Sequence, residues 1–312
     1  MCSNAVQTKG IGNQNDLVGR YYMDHPRVQS QRITITDARR YRALYDSSMH
    51  RVNAGRRRLN RDIEVHLAPT FETQTELGLP NSRTYLVAHG GNEMSKSYLA
   101  LKRLQRSLMG RKTFGYPLSR VARDVAILMP TLLAHIPGTM LTVAELRYNG
   151  DRNRTNFYLE SVLEPVPNPA SRVSLSDQKD PLGLPRVKID WQLTALDKHH
   201  AATLPKLIGD GLSTAGIASL SGPPVNGSEW PANVIGCWHH MATTRMSNDP
   251  KKGVVDADCK VHGMGNLFVA GSSVFPTAGS DSPTITIVAL ALRMADHLAM
   301  QIGAEIPIQQ AV

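Results

Sequence analysis

The most constraining feature of this chain is an apolar segment close to its C-terminal end. In TITIVALALRMADHLAMQIG, apolar side chains surround almost the whole circumference of the first two predicted helical turns. A helix that is apolar on every side belongs in a protein interior. We therefore predict a buried helix of about 16 residues, which the rest of the fold has to cover.

The start of this helix has features of an anion site. Ser282 is a good N-cap and Pro283 is favoured at the first helical position, so free N–H groups and a positive dipole end are expected near Thr284. Gly279 and Ser280 would permit close approach of a ligand. The same features are equally consistent with a well-capped core helix.

Composition places the chain among ordinary globular proteins, with 41% hydrophobic and 20% charged residues. No apolar run reaches the ~20 residues of a membrane span, because Arg293 ends the longest one. The N-terminal segment lacks a secretory pattern, so the default expectation is a cytoplasmic location. A natural N-terminus that is missing from this sequence would have taken any signal with it.

Neither the cysteines nor the charge indicates a second function. Cys2, Cys237 and Cys259 are odd in number and far apart, which argues against a disulfide framework or a zinc site. The net charge is +9 and is concentrated between Arg39 and Arg61. No nucleic-acid motif accompanies it, so we expect a solvated surface, with an anionic cofactor or acidic sugar as the alternative partner.

Alternating apolar and polar residues predict several short strands. The pattern is clearest in QRITITD, and RTYLVAHG, TMLTVAELRY, RTNFYLESVLEP, SRVSLS and PRVKIDW are similar. In the last segment, Val187, Ile189 and Trp191 should form a buried face. The short polar turns between these segments favour an antiparallel sheet, and a further short strand is predicted at LFVAG.

Helical periodicity predicts three helices before the terminal one. They are SYLALKRLQRSLMG, which should end at Gly110, SRVARDVAILM, which Pro130 should interrupt, and TALDKHHAATLPKLIGDGLSTAGI, with a kink near Pro205. Helices combined with an antiparallel sheet give an α+β fold class.

Two adjacent histidines, His239 and His240, are the clearest candidates for chemistry. An imidazole can act as a general base near neutral pH. Side chains of adjacent residues diverge, so the pair is a poor metal site. Taken alone, such a pair is more typical of a structural role.

The segment HHMATTRMSNDPKKGVVDADCKVHGMGNLFVAGSSVFPTAGSDSPTITIVALALRMADHL resembles the C-terminal block of the glucose–methanol–choline (GMC) oxidoreductases over its whole length. The family pattern is roughly H-x-x-G-T-x-R-M, V-V-D, a strand into G/D-x-S-x-x-P-T, and N/H-P-T-x-T before a helix. Upstream, NDLVGRYYMDHP resembles the exit from the flavin domain, and PNPASRVSLSDQKDPLGLPRVKIDW resembles substrate-domain strands. The branch that oxidises sugars and polyols is the most similar.

The resemblance implies an FAD flavoprotein with an antiparallel-sheet substrate domain. Residues 1–26 would end the flavin domain, residues 27–248 would form the substrate-binding domain, and residues 249–312 would return a strand and helix to a Rossmann-like FAD domain. The N-terminal part of that domain, with its G-x-G-x-x-G turn, does not occur here. A fragment, one half of a split enzyme and a degenerate remnant are the competing explanations.

The resemblance also implies catalytic roles. His239 would accept the hydroxyl proton of the substrate while a hydride passes to flavin N5, with His240 as the fallback if the register is misplaced. Ser282 stands where the family has Asn or His as its second catalytic residue, and Ala242 stands where it has Gly. The departure at Ser282 affects the activity or the substrate type that we expect.

The cofactor contacts follow from the same resemblance. Pro283 and Thr284 match the residues whose backbone approaches flavin N1 and the C2 oxygen. Gly271 and Ser272 match residues near the ribityl–pyrophosphate arm.

These expectations combine into a function: FAD-dependent oxidation of CH–OH groups in a sugar, polyol or other alcohol. The missing FAD-binding half would come from a partner chain or a longer gene. The alternative is a non-catalytic subunit or remnant with the same fold. We expect no nucleic-acid partner, no metal and no membrane span.

Overall fold

A computed structural model describes most of the chain. It covers residues 2–37, 66–87, 117–134, 156–221 and 234–303, together with five helical residues between the second and third ranges: Ala100, Arg103, Leu104, Ser107 and Leu108. The basic stretch Arg39–Arg61, the predicted strand TMLTVAELRY and the predicted helix end at Gly110 lie outside the described residues.

The centre of the fold is an antiparallel sheet. Its strands lie in the order β2-β3-β1-β6, and β7 pairs with another part of β1. A separate two-stranded hairpin is formed by β4 and β5. The strands are β1 Pro26–Ile35, β2 Ser82–Val87, β3 Asn156–Leu163, β4 Arg172–Lys179, β5 Pro185–Asp190, β6 Ala218–Ser221 and β7 Ile235–Gly236.

The α-helices that the structure describes over their full length are α1 Phe71–Leu77, α2 Leu118–Ala134, α3 Ala195–Thr214 and α4 Thr284–Gln301. Helix α1 is not among the predicted helices. Its signals are the side-chain N-cap of Thr70 and the left-handed Gly78 (φ 62°) that ends it.

Helix α3 and the central sheet enclose the first hydrophobic core. The alternation that predicts β1 is confirmed, because Ile33 and Ile35 are almost fully buried. They pack in one cluster with Phe157 of β3 and Leu204 of α3. Helix α3 begins with a capping box at Thr194 and continues through Pro205. The mixture of helices and antiparallel sheet confirms the α+β class.

The prediction that Pro130 interrupts its helix is wrong, because α2 continues to Ala134. Pro130 and Ala126, whose carbonyl loses its helical partner at a proline, are both on the exposed side. Water can hydrate that carbonyl, while Leu128 and Leu132 keep the opposite side of α2 buried.

Two strand expectations are also wrong. Val187 and Ile189 do not form a buried face, because 63% and 50% of their surfaces are exposed and no described element covers the hairpin. The segment LFVAG forms no strand. A strand needs a hydrogen-bonding neighbour, and among the described residues this segment makes only the isolated bridge from Phe268 to Lys260.

The second hydrophobic core joins segments that are distant in sequence. It contains Leu17 and Met23 together with Met241 and Val274, and the inner side of α4 packs against it. The prediction of a buried α4 is wrong for this chain, since none of its residues is buried. Its outer side is covered by no described element. No helix in the described ranges is both long and apolar enough to cross a membrane.

Candidate active site

The segment that carries His239 is fixed through its backbone by Asp24. The two oxygens of this buried carboxylate accept hydrogen bonds from the backbone N–H groups of Trp238 (3.0 Å) and His239 (2.9 Å). Trp238 adopts a left-handed backbone (φ 60°), which is unfavourable for a bulky residue. Asp24 therefore holds a turn that the local sequence would not favour.

The ring of His239 contacts a second histidine. Its Nδ1 atom lies 3.0 Å from Nδ1 of His25, and the two rings are almost perpendicular. His25 is fully buried, and its Nε2 atom lies 2.9 Å from the carbonyl oxygen of Gly279. Burial lowers the pKa of the His25 imidazole, although the hydrogen bond to Gly279 opposes this shift. His239 itself is half-buried, so one side of its ring is accessible.

His240 points elsewhere, as expected for adjacent side chains. Its ring stacks in a tilted arrangement 5.6 Å from Tyr22, and its Nε2 atom lies 4.0 Å from Asp24. Burial and the negative charge of Asp24 raise the pKa of Tyr22 to about 12. Of the two histidines, only His239 is shown in contact with His25.

The turn at Ser272 runs beside the histidine segment. The hydroxyl group of Ser272 donates to the carbonyl oxygen of His240 (2.7 Å), and its carbonyl oxygen accepts from the N–H of Ala242 (3.2 Å). Ala242 is fully buried with a left-handed backbone (φ 70°), a conformation that favours glycine. This explains why a glycine is expected at this position.

The turn before α4 is held by two further contacts besides that of His25. Glu164 accepts from the N–H of Gly279 (2.8 Å), and Arg83 pairs with Asp281 (2.9 Å). The helix begins at Thr284, with Pro283 as its N-cap and no side-chain capping bond. The prediction that Ser282 caps the helix is therefore wrong.

The turn at Ser272 and the turn before α4 both leave space for a ligand. A Cβ atom at Gly271 or Gly279 would meet nothing within 4 Å, and both residues have a positive φ. Ser282 and Thr284 are exposed. In the described part of the chain, no cluster of three His, Cys, Asp or Glu side chains could hold a metal ion.

A polar surface of the central sheet borders the same site. Glu160 accepts from Gln29 (2.9 Å) and lies 3.7 Å from Arg27. Cys237 follows β7 and donates its backbone N–H to the carbonyl oxygen of His25 (3.1 Å). Burial raises the pKa of the Cys237 thiol to about 11. The thiol is therefore a neutral neighbour of the histidine pair.

Sequence reasoning identified His239 but missed its supports Asp24, His25 and Glu164. The sequence feature that could have revealed Asp24 and His25 is that two adjacent titratable residues stand directly before the first residue of β1. Periodicity could not reveal its partner, because His25 and His239 are 214 positions apart.

We expect Asp24→Ala to lower the free energy of unfolding by about 3 kcal/mol, because the left-handed turn loses both of its hydrogen bonds to a buried carboxylate. Urea denaturation measures the change. Asp180→Ala is the matched control, since Asp180 also accepts two backbone N–H groups, from Leu182 and Leu184, but in hydrogen bonds that are exposed to solvent. Water replaces that acceptor, so a loss of about 1 kcal/mol or less is expected. Equal losses in the two variants would contradict the role of Asp24.

Comparison with known proteins gives the family. Residues 167–291 match the family profile described as GMC oxidoreductase. The chain is 31% identical over 147 residues to 6'''-hydroxyparomomycin C oxidase of Streptomyces lividus, a match of 47% of this chain and 26% of that protein. It is 31% identical to the fructose dehydrogenase large subunit of Gluconobacter japonicus, over 43% of this chain and 24% of that protein.

A solved structure of pyridoxine 4-oxidase from Mesorbium loti aligns with 91% of this chain and 44% of that chain, at 17% identity and a TM-score of 0.45. The matched segments span about a quarter of the length of the two curated relatives. The family match of this chain therefore lies in residues 167–291, which resemble the C-terminal domain of the GMC oxidoreductases.

Proposed function

We propose that this chain supplies the substrate domain and the proton acceptor of an FAD-dependent oxidoreductase that acts on CH–OH groups. The observation that carries the proposal is the half-exposed His239. Asp24 holds its backbone, and the buried His25 holds its ring beside the turn that leads into α4. Relatives named for sugars and sugar derivatives, such as a fructose dehydrogenase and a C-glycoside 3-oxidase, support a sugar or polyol substrate.

In the proposed reaction, the alcohol loses a proton to one acceptor and a hydride to another. His239 accepts the hydroxyl proton, and the carbon loses a hydride with both electrons of its C–H bond, which leaves a carbonyl product. FAD supplies the hydride acceptor when it is bound. A histidine that is fixed at both its backbone and its ring loses little freedom when it receives the proton.

The residues of this chain fit the cofactor. The N-terminus of α4 has no side-chain cap, so its N–H groups and dipole can stabilise negative charge. Pro283 and Thr284 would hold the flavin ring at this end. Gly271 and Ser272 would contact the ribityl–pyrophosphate arm, since a ligand can approach Gly271 closely.

The polar sheet surface favours a hydroxylated substrate. The partly exposed Arg27 and Gln29 provide polar groups next to the Cys237 segment, and the buried Glu160 contacts both of them. The positive charge of Arg27 is accompanied by the negative charge of Glu160, so the pair would recognise a neutral polyol better than a strongly charged molecule.

We also propose that α4 packs against an FAD-binding half in a partner chain or a longer protein. Ile285, Val288 and Leu292 lie on one side of α4 and are 83%, 53% and 63% exposed. The two hydrophobic clusters support the proposed division at about residue 26, whereas Met241 and Ala242 already belong to the second cluster and place its start before residue 248. One cluster lies within 28–218, and the other combines residues before 26 with residues after 240.

We expect the chain, joined to an FAD-binding half of a related oxidoreductase, to show flavin absorption bands that a sugar or polyol bleaches without oxygen. A visible spectrum recorded before and after addition of a substrate panel tests this. Leu292→Lys should weaken the assembly because it places a charge in the proposed contact. Leu118→Lys is the matched control, since Leu118 is also 63% exposed but lies on α2. An assembly whose bands never bleach would contradict the enzyme proposal.

One observation favours the alternative of a non-catalytic subunit. Ser282 is exposed and occupies the position where the GMC pattern has Asn or His. Its hydroxyl group reaches a shorter distance than either side chain. Sugar binding by calorimetry without turnover in the assembly would support this alternative.

A further inference from the structure

The hydrogen bonds of His25 specify which of its ring nitrogens carries a proton. Nε2 lies 2.9 Å from the carbonyl oxygen of Gly279, and a carbonyl oxygen can only accept. Nε2 therefore carries the hydrogen. The orientation of this carbonyl is fixed in turn, because Gly279 donates its own N–H to Glu164 and has a left-handed backbone (φ 63°).

The other ring nitrogen of His25 then has to accept. His25 has no exposed surface, and burial lowers its pKa, so the ring is neutral at neutral pH and carries a single proton. Its Nδ1 atom has a lone pair and lies 3.0 Å from Nδ1 of His239. The hydrogen in that contact must come from His239.

We infer that His25 is a positioning residue that holds His239 in the Nδ1–H tautomer and leaves the lone pair of a base on its Nε2 atom. The hydrogen bond at one nitrogen of a histidine selects the form of the other. Asp24 adds no competing ring contact to His239, because its two oxygens bind the backbone N–H groups of Trp238 and His239. The series Glu164, Gly279, His25, His239 thus connects the turn before α4 to the base.

The role of this tautomer in catalysis rests on the proposed function, but the tautomer itself is a property of the chain. The direct test is a nitrogen-15 spectrum of the histidine rings in the full chain at neutral pH, with no substrate present. His239 is assigned by the loss of its signals in His239→Gln. We expect a protonated Nδ1 and an unprotonated Nε2. A protonated Nε2 with the lone pair on Nδ1 would overturn the inference in the wild-type chain, without need of any His25 variant.

Two substitutions at His25 separate positioning from packing. His25→Gln keeps a donor for Gly279 and an acceptor for His239, so the Nδ1–H form should persist. His25→Leu removes both groups, and the ring signals of His239 should move towards the Nε2–H form. An unchanged tautomer in a folded His25→Leu chain would overturn the inference. The tautomer is read without measuring turnover. The inference can therefore be confirmed even if the proposed function is wrong, and it can be overturned even if the proposed function is correct.

Discussion

His239→Ala should lower the turnover of the FAD-loaded assembly by about a hundred- to ten-thousand-fold, the usual effect of losing an acid–base group. The substrate hydroxyl group would then have to release its proton to water while the hydride leaves the carbon. Substrate affinity should change much less, because the proton moves only during the reaction. Steady-state kinetics that separate kcat from KM measure the effect.

Two other histidines make this prediction specific. His199→Ala is the control, because His199 is exposed on α3, outside the candidate site. It should leave turnover unchanged. His240→Ala tests the alternative register, since the ring of His240 lies near Tyr22 and not near His25. A large loss in His240→Ala together with normal turnover in His239→Ala would transfer the role of base to His240.

Acidification should destabilise the fold strongly between about pH 6.5 and pH 4, mainly through His200. Burial lowers the pKa of His200 to about 4, and in the described part of the chain neither ring nitrogen has a hydrogen-bond partner. In this pH window the unfolded chain binds the proton and the folded chain does not, so stability falls as the pH falls. The full shift corresponds to about 3 kcal/mol. His25 contributes in the same direction.

His200→Leu should flatten this pH dependence without removing it, because the His25 contribution remains. Urea denaturation at a series of pH values gives the slope directly. His199→Leu is the neighbouring control and should retain most of the wild-type slope, since the exposed His199 contributes only the smaller effect of its charge to the lowered pKa of His200. A His200→Leu chain with the wild-type slope would show that the buried imidazole is not the source.

Local patterns predicted the elements whose neighbours the chain itself supplies. The alternation around Ile33 gave β1, because α3 covers that side of the sheet. The same reasoning failed for Val187 in β5 and for α4. There the apolar periodicity correctly identified apolar surfaces, but no described element covers them. Periodicity reports that a surface is apolar and does not report what buries it.

The candidate site was predictable only in part for a related reason. The resemblance pointed to His239, but its ring partner His25 approaches through tertiary packing, and its carboxylate Asp24 acts on the backbone. Neither interaction leaves a local sequence period. The capping role of Ser282 was a reasonable local expectation that the turn geometry overrides, since Pro283 already occupies the N-cap.

The long-range composition of the second core has a consequence for synthesis. Every residue of the first core lies between Val28 and Ala218, so that core can assemble on the ribosome before the remaining residues emerge. The second core has to wait, because Leu17 and Met23 find their partners only when Met241 and later residues are made. Those apolar residues stay uncovered until the intervening part of the chain has been made, and they are candidates for chaperone binding. The histidine pair joins the same two segments, so it forms only after His239 has been made.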